Sequence, residues 1–166
     1  MKELNYAEAL PLFDACLGKE GVFLSVAGEK PNTMTISWGF HGVMWGLPMI
    51  VAMVRPTRYT FAHLVATGEF TVSIPTINPL KQELMFVGAA SGRDVDKFSG
   101  HGLTAVPALS VSAPVVKECG LHFECVVRYI DQMNEENVAP FGSQWYAKKD
   151  FHTLFFGEIV SCYTTD

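Results

Sequence analysis

The sequence has no long apolar run. Its longest candidate, residues 43–54, is interrupted by Gly46 and Pro48, whereas a membrane-spanning helix needs roughly 18 apolar residues in succession. Basic residues are also scarce. Twelve Lys and Arg stand against 17 Asp and Glu, a net charge of −5, which argues against the basic face that a nucleic-acid surface needs. The four cysteines, Cys16, Cys119, Cys125 and Cys162, form no CxxC pair, so the spacing of a zinc site is missing. No GxGxxG follows the first strand and no Walker loop occurs, which disfavours a nucleotide held in either way. GxSxG and HExxH are absent too, leaving no hydrolase elbow and no helix-borne zinc pair. The amino terminus lacks the basic region and apolar block of a secretory signal. With four unpaired thiols, the expectation is a reduced, cytoplasmic protein.

Charge of either sign is low. Charged residues make up 17% and hydrophobic residues 49% of 166, against a typical charged fraction of about 25%. A single domain over residues 1–166 with a sizeable core is expected. Its excess apolar surface calls for a large subunit interface or a bound organic cofactor. The five histidines, at 41, 63, 101, 122 and 152, are dispersed, and each alone reads as structural. Asp94 and Asp96 offer too few oxygens for a metal loop.

What is present begins with residues 31–39, PNTMTISWG. A polar turn feeds a strand whose side chains alternate. Thr33, Thr35 and Ser37 fall on one face, and Met34, Ile36 and Trp38 on the other. By pattern alone the hydroxyl row faces water. An apolar strand over 22–27 and turn chemistry at 28–32 make this pair a hairpin. Ahead of it, Ala7, Leu10, Phe13 and Leu17 predict a helix over 7–17, capped by Gly18. Residues 41–48 read as a glycine-rich connection and 49–54 as a central strand.

Arg55-Pro56-Thr57-Arg58 then precedes a helix with Thr57 as its N-cap, running to about residue 66 and ending at Gly68. Two arginines beside a helix N-terminus suit an anion such as phosphate, although surface ion pairs would explain them equally. Strands are expected over 69–74, 119–130 and 151–160, a helix from Asn78-Pro79 to about Phe86, and a helical turn capped by Asp94. Short extended pieces fit 103–109 and 115–117. Residues 131–150 form a long loop, of the kind that is usually functional or mobile. Strands dominate without strict βα alternation, which predicts a mainly β fold: a small antiparallel β-barrel with short helical insertions.

Five blocks in this order and spacing, 32–39, 54–60, 68–73, 91–98 and 152–158, resemble the flavin reductase-like (flavoredoxin-type) family. The likeness runs from about Gly21 to Tyr163. It implies a Greek-key antiparallel FMN-binding split barrel, a homodimer with FMN near the subunit interface, and electron transfer from NAD(P)H or a redox protein. Carried onto this sequence, the family pattern puts Asn32, Thr33, Met34 and Thr35 against the flavin ring and ribityl chain. It puts Ser37 and Trp38 towards the phosphate, Arg55, Arg58, Tyr59 and Thr60 on the phosphate, and Ser91 and Lys97 in a second phosphate-side block. The flavin carries the redox chemistry, which fits the lack of any acid–base dyad or nucleophile. A flavin-binding or sensor protein of the same fold without turnover is the alternative reading.

Overall fold

The computed structural model describes residues 1–165. Its strands are β1 (Lys2–Glu3), β2 (Val22–Val26), β3 (Asn32–Ile36), β4 (Gly39–Met44), β5 (Leu47–Val54), β6 (Glu69–Ile74), β7 (Ala105–Val106), β8 (Val115–Val116), β9 (Leu121–Gln132) and β10 (Thr153–Thr164). The helices are α1 (Tyr6–Leu17), α2 (Tyr59–Thr67), α3 (Lys81–Ala89) and α4 (Pro140–Ser143). The main sheet runs β3-β2-β6-β9-β10-β5-β4, with β1 added to β10, and all its pairings are antiparallel. The sheet curls without closing. β3 and β4 end its order, and this opening makes a split barrel rather than a closed one.

The core lies inside the curl. Val22, Leu24 and Val26 of β2 meet Phe70, Val72 and Ile74 of β6 and Phe123 and Cys125 of β9. Ala9, Leu10, Phe13 and Leu17 of α1 complete it. The N-cap side chain of α1 comes from Asn5, which accepts from Ala7 N at 3.0 Å. β2 is buried on both faces. Its outward Phe23 packs with Leu84 and Val87 of α3 and with Leu103, Val116 and Cys119, so α3 covers the outside of the β2–β3 hairpin.

Several sequence expectations need correction. Residues 41–48 are not a connection: β4 pairs residue for residue with β5, Met44 opposite Leu47. Trp45 and Gly46 alone make the turn, at φ 55° and 78°, the signature of a type I′ hairpin. A tryptophan in the place of the usual Asn or Asp hid it. The N-cap of α2 is Arg58, not Thr57, and Gly68 closes that helix at φ 64°. Helix α3 starts at Lys81 rather than Asn78. Asp94 caps no helix; residues 92–94 are a turn, and Asp96 accepts from Phe98 N instead. The extended piece over 103–109 shrinks to β7. Part of the 131–150 loop is taken up by the end of β9 and by α4, and the last strand reaches Thr164.

Strand β10 carries a register shift between Phe156 and Gly157 against β9. A Cβ on Gly157 would lie 2.5 Å from the Phe70 ring and 2.8 Å from Cys125 Cβ. Neither neighbour can retreat, since both are fully buried. Gly157→Ala should therefore cost about 1–3 kcal/mol of stability by overpacking, read from the midpoint of urea unfolding. An unchanged midpoint would refute the packing assignment.

Candidate functional site

The split in the barrel holds the site. Strand β3 pairs with β2 on one edge only. Its Thr33 carbonyl turns away from β2 and accepts from Lys97 Nζ at 2.9 Å. Backbone groups alternate edges along an antiparallel strand, so Thr35 N–H and C=O lie on that same free edge. Two abutting hollows open along it.

The first, of about 450 Å³, is lined by Met34, residues 57–60, residues 87–93 and Lys97. The start of α2 forms one wall. Tyr59 and Thr60 are its first two residues, whose N–H groups have no intrahelical acceptor. Asn32 donates its amide to Thr60 Oγ1 at 2.8 Å, which leaves the Thr60 hydroxyl proton free to donate elsewhere. The opposite wall, residues 87–93, is small at 88–92, and at Gly92 the reason is steric: a Cβ there would collide with Asn32 and Tyr59. Ser91 caps the following turn, accepting from Arg93 N at 3.2 Å. Arg93 lies over the Tyr59 ring at 5.5 Å and donates to Thr57 O.

The second hollow, of about 500 Å³, is lined by residues 34–38, Met53, Arg55, Arg58 and His152. Met34 and Arg58 belong to both, so the two form one cleft with Arg58 at the junction. Trp38 leans on His152, ring centroids 5.1 Å apart, and meets Trp145 edge-on at 5.9 Å.

Besides Arg93, three cations line this cleft and their hydrogen bonds set them apart. Arg55 donates to Asp150 O at 2.7 Å and Trp145 O at 3.2 Å, lies over Tyr146 at 5.1 Å, and has the Asp150 carboxylate at 3.8 Å. Thr57 Oγ1 donates to the same carboxylate at 2.8 Å. Arg55 is thus a latch that holds residues 145–150 against the barrel. Lys97 is 4% exposed and donates to Thr33 O and Val87 O. Burial, with the Arg58 charge added, lowers its ammonium to about 8. It ties α3 to the edge of β3. The Arg58 backbone is bonded to Arg55 O and Phe61 N, but its guanidinium has no hydrogen bond or ion pair among the described residues, and the residue is exposed.

The sequence-predicted residues therefore divide. Met34, Arg58, Tyr59, Thr60, Ser91 and Lys97 line the first hollow, and Met34, Thr35, Ser37, Trp38, Arg55 and Arg58 the second. Ser37 and Trp38 line the second hollow, where they share the lining with Arg58, and not the first. Asn32 and Thr33 line neither hollow. Thr33 is fully buried, its hydroxyl bonded to Ser25 Oγ and Leu24 O. The Thr35 hydroxyl donates to Leu84 O at 2.6 Å. The Thr33 and Thr35 hydroxyls of the row are thus satisfied by β2 and α3, while Ser37, just beyond β3, lines the second hollow; what β3 offers the cleft is mainly its backbone edge and Met34. His152, Met53, Tyr146 and Asp150 were not singled out from sequence. Only the block containing His152 gave a signal, because the others take their roles from long-range contacts.

The donor set fits a phosphorylated ring compound: free N–H groups, a hydroxyl and an unpaired guanidinium at one end, and a strand edge with apolar and aromatic walls at the other. The family described as "Flavin reductase like domain" matches residues 19–166. An uncharacterised protein of Archaeoglobus fulgidus is 32% identical over 140 residues, which cover 83% of this chain and 68% of that one. Flavoredoxin of Desulfovibrio vulgaris (Miyazaki F) superposes with a TM-score of 0.69 at 26% identity, over 88% of this chain and 70% of that one. An FMN-binding protein from Thermus thermophilus has the same fold, with a TM-score of 0.69 at 19% identity over 87% and 71%. The chain spans about two thirds of the length of the curated relatives it matches.

If Arg55 is the latch, Arg55→Ala should free residues 133–151 while leaving the sheet folded. Limited proteolysis would then cut that segment at least severalfold faster than in the wild type. Equal cutting rates would return Arg55 to a purely ligand-facing role.

Proposed function

The chain belongs to the flavin reductase-like family, and from that premise we propose that it is an FMN-dependent oxidoreductase that takes electrons from NAD(P)H or a redox protein. The observation that carries this reading is the unpaired Arg58 guanidinium at the junction of the cleft, beside an open helix N-terminus and a free strand edge. FMN matches these features in order. Its phosphate carries close to two negative charges near neutral pH, and charge-assisted donors suit it. Arg58, the N–H groups of Tyr59 and Thr60, and the Thr60 hydroxyl would hold that end. Lys97, with two of its three protons already committed, has one left to contribute. The ring would lie in the second hollow against the β3 edge, Met34, Trp38 and His152.

FMN supplies the redox chemistry when bound, accepting electrons from a donor and passing them on. The protein's own work is binding, orientation and the exclusion of water. The small-residue wall at 88–92 would let backbone approach the ligand closely, and the Arg55 latch keeps Trp145 against Trp38 and Tyr146 against His152. No residue of this chain has to form a covalent intermediate.

A homodimer belongs to the same reading. The outer face of β4, β9 and β10 carries Phe40, Trp45, Tyr129 and Phe156 in an edge-to-face chain with centroids 5.2–6.3 Å apart. Phe40 is 47% and Trp45 68% exposed. An apolar aromatic patch of this kind marks an interaction surface, and a second copy is the partner we assign to it. Trp45→Glu should shift the protein to monomer in analytical ultracentrifugation; a wild-type monomer would remove the assignment.

The decisive experiment for the cofactor is the visible spectrum of the purified protein, before and after adding FMN. Arg58→Ala should weaken FMN by about 1.5–3 kcal/mol, the loss of one hydrogen bond to a charged group. That is roughly 10- to 150-fold in Kd, read by quenching of FMN fluorescence. A protein that stays colourless and leaves FMN fluorescence untouched would overturn the reading.

A further inference from the structure

The second hollow contains an imidazole held by a phenol. His152 precedes β10 and is 8% exposed. Its Nδ1 lies 2.8 Å from the Tyr146 hydroxyl, and its ring packs on Trp38. Tyr146 is 7% exposed. Its ring stacks on Phe151 at 4.8 Å and lies beneath the Arg55 guanidinium. Neither ring can turn without breaking several contacts.

The direction of the bond between them follows from the surrounding groups. Burial and the Arg55 and Arg58 charges lower the His152 imidazole to about 4, with only Asp150 acting the other way. The ring is therefore neutral at physiological pH, with one nitrogen protonated and the other an acceptor. The phenol has one other partner, Met133 Sδ at 3.4 Å, and a thioether is a weak acceptor. Burial raises the Tyr146 phenol above its ordinary value, against the opposing pull of the Arg55 charge, so the phenol keeps its proton and has it to donate. Tyr146 O–H therefore donates to Nδ1, and the hydrogen of the imidazole stays on Nε2. With Nδ1 turned to Tyr146, the edge of the imidazole left to the hollow is the one that carries Nε2–H.

We propose that Tyr146 is a positioning residue that fixes His152 in its Nε2–H tautomer, and that His152 presents this N–H as a donor to an acceptor atom of the ring bound in the second hollow. The proposal rests on the cleft being a flavin site. The acceptor is then a carbonyl oxygen or ring nitrogen of the flavin, and the charge it carries on reduction gains a neutral donor. The device belongs to the segment held by Arg55, so the geometry of the donor depends on that latch.

The test reads the tautomer directly. Protein labelled with 15N-histidine is examined by long-range proton–nitrogen correlation without ligand, with His152→Gln used to assign the signal. One nitrogen of His152 should resonate as protonated Nε2 and the other as unprotonated Nδ1, unchanged from pH 8 to pH 6. Tyr146→Phe should move both shifts towards the average of a mixed population. FMN is then added, its binding followed by fluorescence, and the Nε2 signal should shift. A protonated Nδ1 in the wild type overturns the proposal even if the Phe variant fails to fold, and so does an unchanged tautomer in Tyr146→Phe. FMN that binds while the Nε2 signal stays still also overturns it, leaving the flavin reading intact. FMN that does not bind at all defeats the flavin reading, and with it the proposed acceptor.

Discussion

The register of β10 against β5 is the constraint on which the site depends. Thr153 lies opposite Val54 and Phe155 opposite Ala52. The residues just beyond that ladder are His152 on one strand and Arg55 on the other, so the ladder delivers both to the same end of the split. Strand β10 is held on its other edge by β9 through nearly its whole length. A slip of one residue would turn Phe155 out of the core and His152 away from Trp38, because side chains alternate faces. The buried core thus fixes the register, and the register places the cleft.

The elements themselves were largely legible in the sequence. Strands β3 and β6 appear where alternation put them, and α1 buries the Ala9, Leu10, Phe13 and Leu17 face that its spacing indicated. Periodicity could not say what would cover each face. Thr33 and Thr35 do share a side of β3, yet that side is packed by β2 and α3, so both hydroxyls are satisfied within the protein. Alternation specifies a direction and says nothing of the partner, which arrives from residues about 50 positions along the chain, as with Leu84. The β4–β5 hairpin failed for the opposite reason. Its glycines and Trp45 argued for a connection by local propensity, and cross-strand pairing overrode them.

Arg55 shows the same limit at the level of chemistry. Beside a helix start, arginine suits a phosphate, and nothing near it in sequence says otherwise. Its acceptors are carbonyls at 145 and 150, some 90 residues away. A planar guanidinium can serve two carbonyls and an aromatic face together, and here it does so at Trp145, Asp150 and Tyr146. The Arg58 guanidinium, three residues later, is left with nothing to bind among the described residues. The two arginines look equivalent in the sequence, and tertiary contacts alone tie one into the structure and leave the other unpaired.

On the proposed reading, that allocation would let an acidic chain hold a dianion. Net charge says little about a cleft, because the potential there is set by the nearest unpaired groups. Lys97 illustrates the cost. Its ammonium is buried among carbonyls and another cation, and its lowered proton affinity records a position that disfavours charge when no anion is present. An anion in the first hollow would reverse the balance by offsetting the repulsion between Lys97 and Arg58, so part of the binding free energy would come from relief of a strain already present in the free protein. A cleft built this way discriminates against neutral ligands of the same shape, since they would leave that repulsion in place. Apart from the shared Arg58, the second hollow has no unmet charge: Arg55 is occupied and His152 is neutral. The cleft is thus polarised along its length, with unpaired cationic charge at the start of α2 and apolar and aromatic walls between β3 and Trp38.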